Sequence, residues 1–254
     1  MPTKTSALPA PTTGIGPAIP ALAAAGVLAA LAHPAAAGAL WTALGGVATK
    51  AFPADRLIAL AAAHAELAVG AAVPACLAGL GLGILVTRPA GRSLRGLTDA
   101  LVAVLQAVPP VVVVALAFPV LGFGAAPTLL ALFAYCVMPV MRAAVAAIEA
   151  VPADVREAAQ AMGLTPAQVL GQVELPLAWP VVREAVRVAM ILAVATAAVG
   201  ALAAAQTLGT PIILGLQNQN ELYVLQGAAA TAALAFFADG VFVLAAGSGY
   251  EPEP

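Results

Sequence analysis

No charged residue interrupts the apolar stretches Leu67 to Thr87, Ala100 to Met141 and Val188 to Asn220. An uncharged apolar run of about 20 residues, wound as a helix, matches the hydrocarbon thickness of a bilayer. The second run is long enough for two such helices, and Pro119, Gly122 and Gly124 mark where it would turn. A further run, from about Leu222 to Ala246, is broken only by Asp239. Composition agrees, because 63% of the 254 residues are hydrophobic and 9% charged, with a mean hydropathy of +1.02, far from the balance of a water-soluble fold. The expected fold class is all-α, a polytopic transmembrane helical bundle with five core spanning helices. Pro17 to Leu31 offers a candidate sixth helix at the N-terminus, but it is mostly alanine, which inserts only marginally, and His33-Pro34 follows at once.

The expected organisation is a disordered Pro/Thr-rich tail at 1–16, lacking the basic start and cleavage region of a signal peptide. The extra helix and an outer loop then occupy 17–56, a transmembrane domain 57–247, and a C-terminal tail 248–254. Basic residues orient it. Arg88, Arg92 and Arg95 crowd one loop, and Arg142, Arg156 and Arg183 fall in the next loop on the same side, which includes 149–183, whereas the intervening hairpin near Gly122 has none. By the positive-inside rule both loops are cytoplasmic.

The 149–183 loop carries local signals of its own. Pro152 suits a first helical turn and Asp154 complements the helix dipole behind it. Good helix formers run to Met162, and Gly163 can take the left-handed conformation that stops them. Thr165, Pro166 and Gln168 have the spacing of a capping box opening a second helix. Pro176 is expected to end that helix near Glu174, giving two short helices and an elbow. Ala158 and Ala159 are expected to leave one surface bare for another protein's groove, with Arg156 and Glu157 supplying polar contacts.

The spacing Glu157-Ala158-Ala159, three residues, Gly163, nine residues, Val173, any residue, Leu175-Pro176 resembles the cytoplasmic signature loop of the membrane subunits of binding-protein-dependent ABC importers. An ordinary amphipathic connector predicts no such spacing. The resemblance extends over about Ala62 to Val243. Leu105 through Pro110, Gly122-Phe123-Gly124, Tyr135 through Arg142, and Leu214 through Gln217 on to Gly227 and Asp239-Gly240 are similar in order and spacing to permeases for osmoprotectants and other quaternary amines such as glycine betaine, choline and carnitine. It implies a type I ABC importer permease fold, multi-pass in a prokaryotic plasma (inner) membrane, working by alternating access. It also implies coupling to the ATPase through Arg156, Glu157, Ala158, Ala159, Gly163, Leu175 and Pro176. The implied partners are cytoplasmic ABC ATPase subunits that bind ATP and Mg, an extracytoplasmic substrate-binding protein, a second permease copy or a sister permease, and membrane lipid. One stretch departs from the pattern: where these permeases carry G-A-G-G-L-G, this chain reads Ala204-Ala205-Gln206-Thr207-Leu208-Gly209, and Gln and Thr are expected to intrude where backbones would otherwise approach closely.

The chain has two lysines, Lys4 and Lys50, and neither lies in a phosphate-cradling G-x-x-x-x-G-K-[ST] loop. It shows no nucleophile and base arrangement, no Cys/His metal cluster and no basic tract for nucleic acid. It is therefore expected to be a transport subunit, not an enzyme, with no cofactor of its own. Cys76 and Cys136 are expected as small core residues. Asp239 lies inside a span, where pairing with an arginine is favoured over a functional role, and Glu66 with His64 is favoured as structural over a proton relay. Trp41 and Trp179 are expected at membrane interfaces. Gln206, Gln217, Asn218 and Asn220 are candidates for the substrate path or binding-protein contact, the last three forming a polar lip on the outer side. Two other classes remain open: a proton- or sodium-coupled secondary transporter using Glu66 and Asp239, which predicts inverted repeats not evident here, and a non-transporting scaffold that recruits an ATPase.

Overall fold

Small residues decide how closely the helices of this protein approach. The computed structural model describes residues 18–47 and 49–247, so the tails expected at 1–16 and 248–254 lie outside the described residues. In chain order the α-helices are α1 (Ile19–Ala32), α2 (Pro34–Ala43), α3 (Ala54–Thr87), α4 (Arg95–Ala107), α5 (Pro110–Leu121), α6 (Ala125–Glu149), α7 (Ala153–Ala161), α8 (Pro166–Val169), α9 (Leu175–Ala197), α10 (Gly209–Gln217) and α11 (Glu221–Gly247). Among the described residues four helices are long and apolar enough to cross a membrane: α3, α6, the continuous Pro166–Ala203 helix that contains α8 and α9, and α11. Two further pairs are bent, α1 with α2 by 82° and the α4 segment with α5 by 93°, and bring the count to six if each is one span.

The 93° bend breaks the first of the two helices expected in the Ala100 run. Pro110 pushes the residue before it out of the helical region, and Val108 and Pro109 are accordingly extended, with ψ of 117° and 142°. The turn expected before α6 is present, with Gly122 and Gly124 at φ of 78° and 118°. α3 begins at Ala54, well ahead of the apolar run at Leu67, and its 34 residues span about 51 Å at 1.5 Å per residue. Glu66 is thus deep in a helix instead of at its start.

Ala68, Ala72 and Ala75 of α3 are wholly buried against α6 and α9. Further along, a Cβ on Gly79 would stand 2.5 Å from the Val137 carbonyl oxygen, and one on Gly83 would stand 2.6 Å from the Ala144 Cβ. Between helices with no water to expel, such close backbone approach gives the dispersion contact that holds them. Cys136 belongs to this core and Cys76 packs on it, both as free thiols.

Buried polar side chains tie the ends together. His64 donates from Nε2 to the Val194 carbonyl at 2.7 Å and accepts at Nδ1 from the Leu208 amide at 3.1 Å, so one neutral ring joins α3, α9 and the entry to α10. With both nitrogens used it has no capacity left for a relay. Gln226 accepts from the Phe52 amide and donates to the Ala32 and Phe52 carbonyls, clamping the end of α1 and the approach to α3 at Phe52 onto α11. Asp239 pairs with Arg187 at 2.6 Å, and Arg187 also meets Glu184 at 3.0 Å, the structural pairing expected of an acid inside a span.

Candidate functional site

The elbow is built from backbone signals that act locally. Pro152 sits just ahead of α7 in an extended conformation, one residue earlier than its expected place in the first turn. α7 ends at Ala161, and Gly163 has φ of +90°, the left-handed geometry that an L side chain resists. The capping box is complete: the Gln168 amide donates to Thr165 Oγ1 at 3.4 Å and the Thr165 amide donates to Gln168 Oε1 at 2.9 Å.

The second short helix does not end near Glu174. It runs on through a π-helical turn, Leu170–Glu174, directly into α9. Leu175 remains helical at φ −65° and ψ −44°, although a proline follows it. The wider π turn accounts for this, since its i→i+5 pattern accommodates the missing Pro176 N–H and relieves the ring's clash with the preceding turn. Arg142 and Arg183, expected in the loop, lie within α6 and α9. The elbow is thereby attached rigidly to a membrane-crossing helix.

Glu174 anchors this attachment. It is buried, 3% exposed, with Arg156 Nε at 2.8 Å from Oε1 and Arg88 Nη2 at 2.7 Å from Oε2. The Arg156 guanidinium also donates to the Ile148 carbonyl. One carboxylate thus gathers the end of α3, the end of α6, α7 and the start of α9. Close by, Arg95 pairs with Glu149, joining α4 to α6. Arg156, expected to reach outward, is used internally, and Ala159, expected to be bare, is buried at 2% exposure. The exposed residues include Glu157, Ala158, Gln160, Ala161 and Met162, the last 75% exposed. Leu175 is half-buried and Pro176 exposed on the adjoining helix.

At the opposite end of α3 lies a cavity of about 580 Å³ lined by Phe52, Arg56, Leu60, Gln206, Thr210 and Gln217, among others. It brings two of the four outer candidates together. Asn218 is exposed at the end of α10, and Asn220 is occupied structurally, donating to the Lys50 carbonyl at 2.9 Å and accepting from Thr49 Oγ1 and the Tyr223 amide. The intrusion expected at Gln206-Thr207 holds for Thr207, which is wholly buried, and not for Gln206. Gln206 is exposed at the cavity, and buried Thr207 donates to the Ala198 carbonyl at 3.4 Å and accepts from the Gly209 amide at 3.2 Å. Gly209 is the position where a Cβ has no room, 1.9 Å from the Ala198 oxygen. Ala204, at φ +60°, holds a left-handed conformation that glycine adopts more easily.

Residues 79–246 match the family model of the binding-protein-dependent transport system inner membrane component. The chain belongs to this family. It is similar to the osmoprotectant import permease protein OsmY of Salmonella typhimurium, at 36% identity over 72% of this chain and 78% of that protein. It is also similar to two permeases of Bacillus subtilis: the glycine betaine/carnitine/choline permease OpuCD, at 35% over 69% and 76%, and the choline permease OpuBB, at 30% over 72% and 83%. Chains from two crystal forms of the MetNI methionine ABC transporter superpose with TM-scores of 0.64 and 0.59 at 22% identity, covering 76% of this chain and 96% and 93% of theirs. That likeness shows the fold, a type I ABC importer permease fold. As a member of the inner membrane component family, this multi-pass protein is a transport permease subunit and not an enzyme.

Arg88, Glu174, His64, Gln226 and Arg56 were not marked by any motif. A signal for Glu174 was present, since it is a lone acid between Val173 and Leu175 in an otherwise apolar approach to Pro176, but its partners stand 18 and 86 positions away.

Proposed function

We propose that this family member is the membrane permease of an ATP-driven importer for an osmoprotectant or other quaternary amine of the glycine betaine, choline or carnitine kind. Two copies, or this chain with a sister permease, would line the path, and a binding protein would deliver the solute at the end that carries the Arg56 cavity. The elbow would face the cytoplasm and seat in an ATPase subunit, where ATP and Mg are bound; closure of the ATPase pair would draw the elbows together and rock the helices to open outward. The observation that carries this is the continuity of the elbow with a span: α7 is fastened by Arg156 and Glu174 to the helix that runs from Pro166 to Ala203, so force on α7 moves that helix as one body. The exposed Glu157, Ala158 and Met162 suit a small polar and apolar plug.

Uptake of labelled betaine and choline into vesicles holding the permease, its ATPase and its binding protein tests the proposal. ATP-dependent accumulation that is lost without the ATPase is expected. Accumulation without the ATPase, driven by a proton or sodium gradient, would overturn it in favour of secondary transport, and no accumulation under any condition would leave the scaffold.

A further inference from the structure

Arg56 stands in the first turn of α3 at the cavity, at the end of the bundle where the positive-inside rule leaves basic residues unexplained. Among the described residues the side chains of Arg56, Gln206 and Gln217 have no hydrogen-bond or ion-pair partner, although all three residues line one space of about 580 Å³. That volume falls within the ordinary range for small-molecule pockets. A guanidinium is a planar fork of donors matched to a carboxylate, which it binds through two parallel charge-assisted hydrogen bonds. The two primary amides add N–H donors beside it. Apart from Thr210, the rest of the lining, including Leu60, Ile213 and Leu214, is apolar and suits methyl groups.

We propose that this cavity is a carboxylate subsite. Resting on the importer function above, Arg56, flanked by Gln206 and Gln217, takes the anionic end of a zwitterionic amine while the methylated end lies on the apolar lining. A betaine or carnitine has such an end. Choline offers only a hydroxyl there and brings a positive charge toward Arg56, so the cavity selects against it.

The test is uptake by the complete complex, permease with its ATPase and binding protein, in vesicles given labelled glycine betaine or choline below saturation. The binding protein contributes the same preference to every permease variant, so the change in the betaine-to-choline ratio isolates the permease. Wild type is expected to favour betaine. Arg56→Gln is expected to lower the ratio about tenfold, the size of a lost charge-assisted hydrogen bond, through betaine and not choline, and Arg56→Lys is expected to recover part of it. Gln206→Leu and Gln217→Leu shift the ratio the same way by less, and serve if Arg56→Gln does not co-purify with the ATPase. A ratio unchanged in these variants, or a fall in both solutes together, overturns the subsite, the latter assigning Arg56 to the fold or to lipid phosphate. A wild type that carries choline but not betaine overturns the subsite and leaves the importer standing; one that carries neither under ATP overturns the importer and the subsite with it.

Discussion

Arg156→Ala removes one arm of the Glu174 junction and leaves the other in place. Two magnitudes bracket the cost. An exposed ion pair is worth about 0.2 to 1 kcal/mol, whereas orphaning a buried charge costs about 3 to 5 kcal/mol. Here the Glu174 side chain is 4% exposed and that of Arg156 28%, but Arg88 stays 2.7 Å from the other carboxylate oxygen, so Glu174 keeps a counter-charge. The Ile148 carbonyl loses the guanidinium donor as well but keeps the Val151 amide at 3.3 Å. An expected cost of about 2 kcal/mol follows, felt locally as a roughly 30-fold rise in the opening of α7. Amide hydrogen exchange on the purified permease reads this directly. Exchange of the 153–165 amides is expected to accelerate about 30-fold, while amides of α3 and α6 around Gly79 and Val140 keep their protection. Glu174→Ala is expected to do more, because it releases both arginines at once. Unchanged protection of α7, or equal acceleration throughout α3 and α6, would refute the assignment of Arg156 as the local fastening of the elbow.

Gly163→Val faces open space, so its cost is conformational, about 1 to 2 kcal/mol for forcing a β-branched residue to positive φ; co-purification of the ATPase is expected to fall while membrane insertion is unchanged. Ala204→Gly relieves the same strain in the opposite sense and is expected to raise the thermal midpoint in detergent, by an amount on the order of 1 kcal/mol. Gly83→Leu drives a side chain against Ala144 and the Met141 carbonyl and is expected to lower that midpoint sharply, by at least about 1 to 3 kcal/mol.

Features set by neighbours in the chain were legible. The Gly163 stop, the Thr165 and Gln168 box and the glycines before α6 follow from local backbone chemistry, and the pairing of Asp239 followed from the expense of a lone charge in lipid. What the sequence concealed depends on distant partners or on alternatives to the α geometry. Pro176 announces a break, yet a π turn dissolves it, and nothing in the residue types announces the turn. Arg156 looks like a surface charge until Glu174 and Arg88 fold against it. Pro109-Pro110 sat within a motif but also in an unbroken apolar run, and hydropathy carries no information on a 93° bend. At Gln206 the side-chain direction, outward into a cavity instead of between backbones, was set by Ala204 turning left-handed five residues before the Gly209 contact closes.

The central claim is that the tip of α7 meets an ATPase on the cytoplasmic side, and Ala158, exposed beside Glu157, is the place to probe it. A photo-crosslinker at position 158, in membrane vesicles that contain the whole complex, is expected to capture the ATPase subunit, with capture changing on addition of ATP. Labelling of position 158 by a membrane-impermeant reagent from the outer face, with no capture of the ATPase, would contradict it.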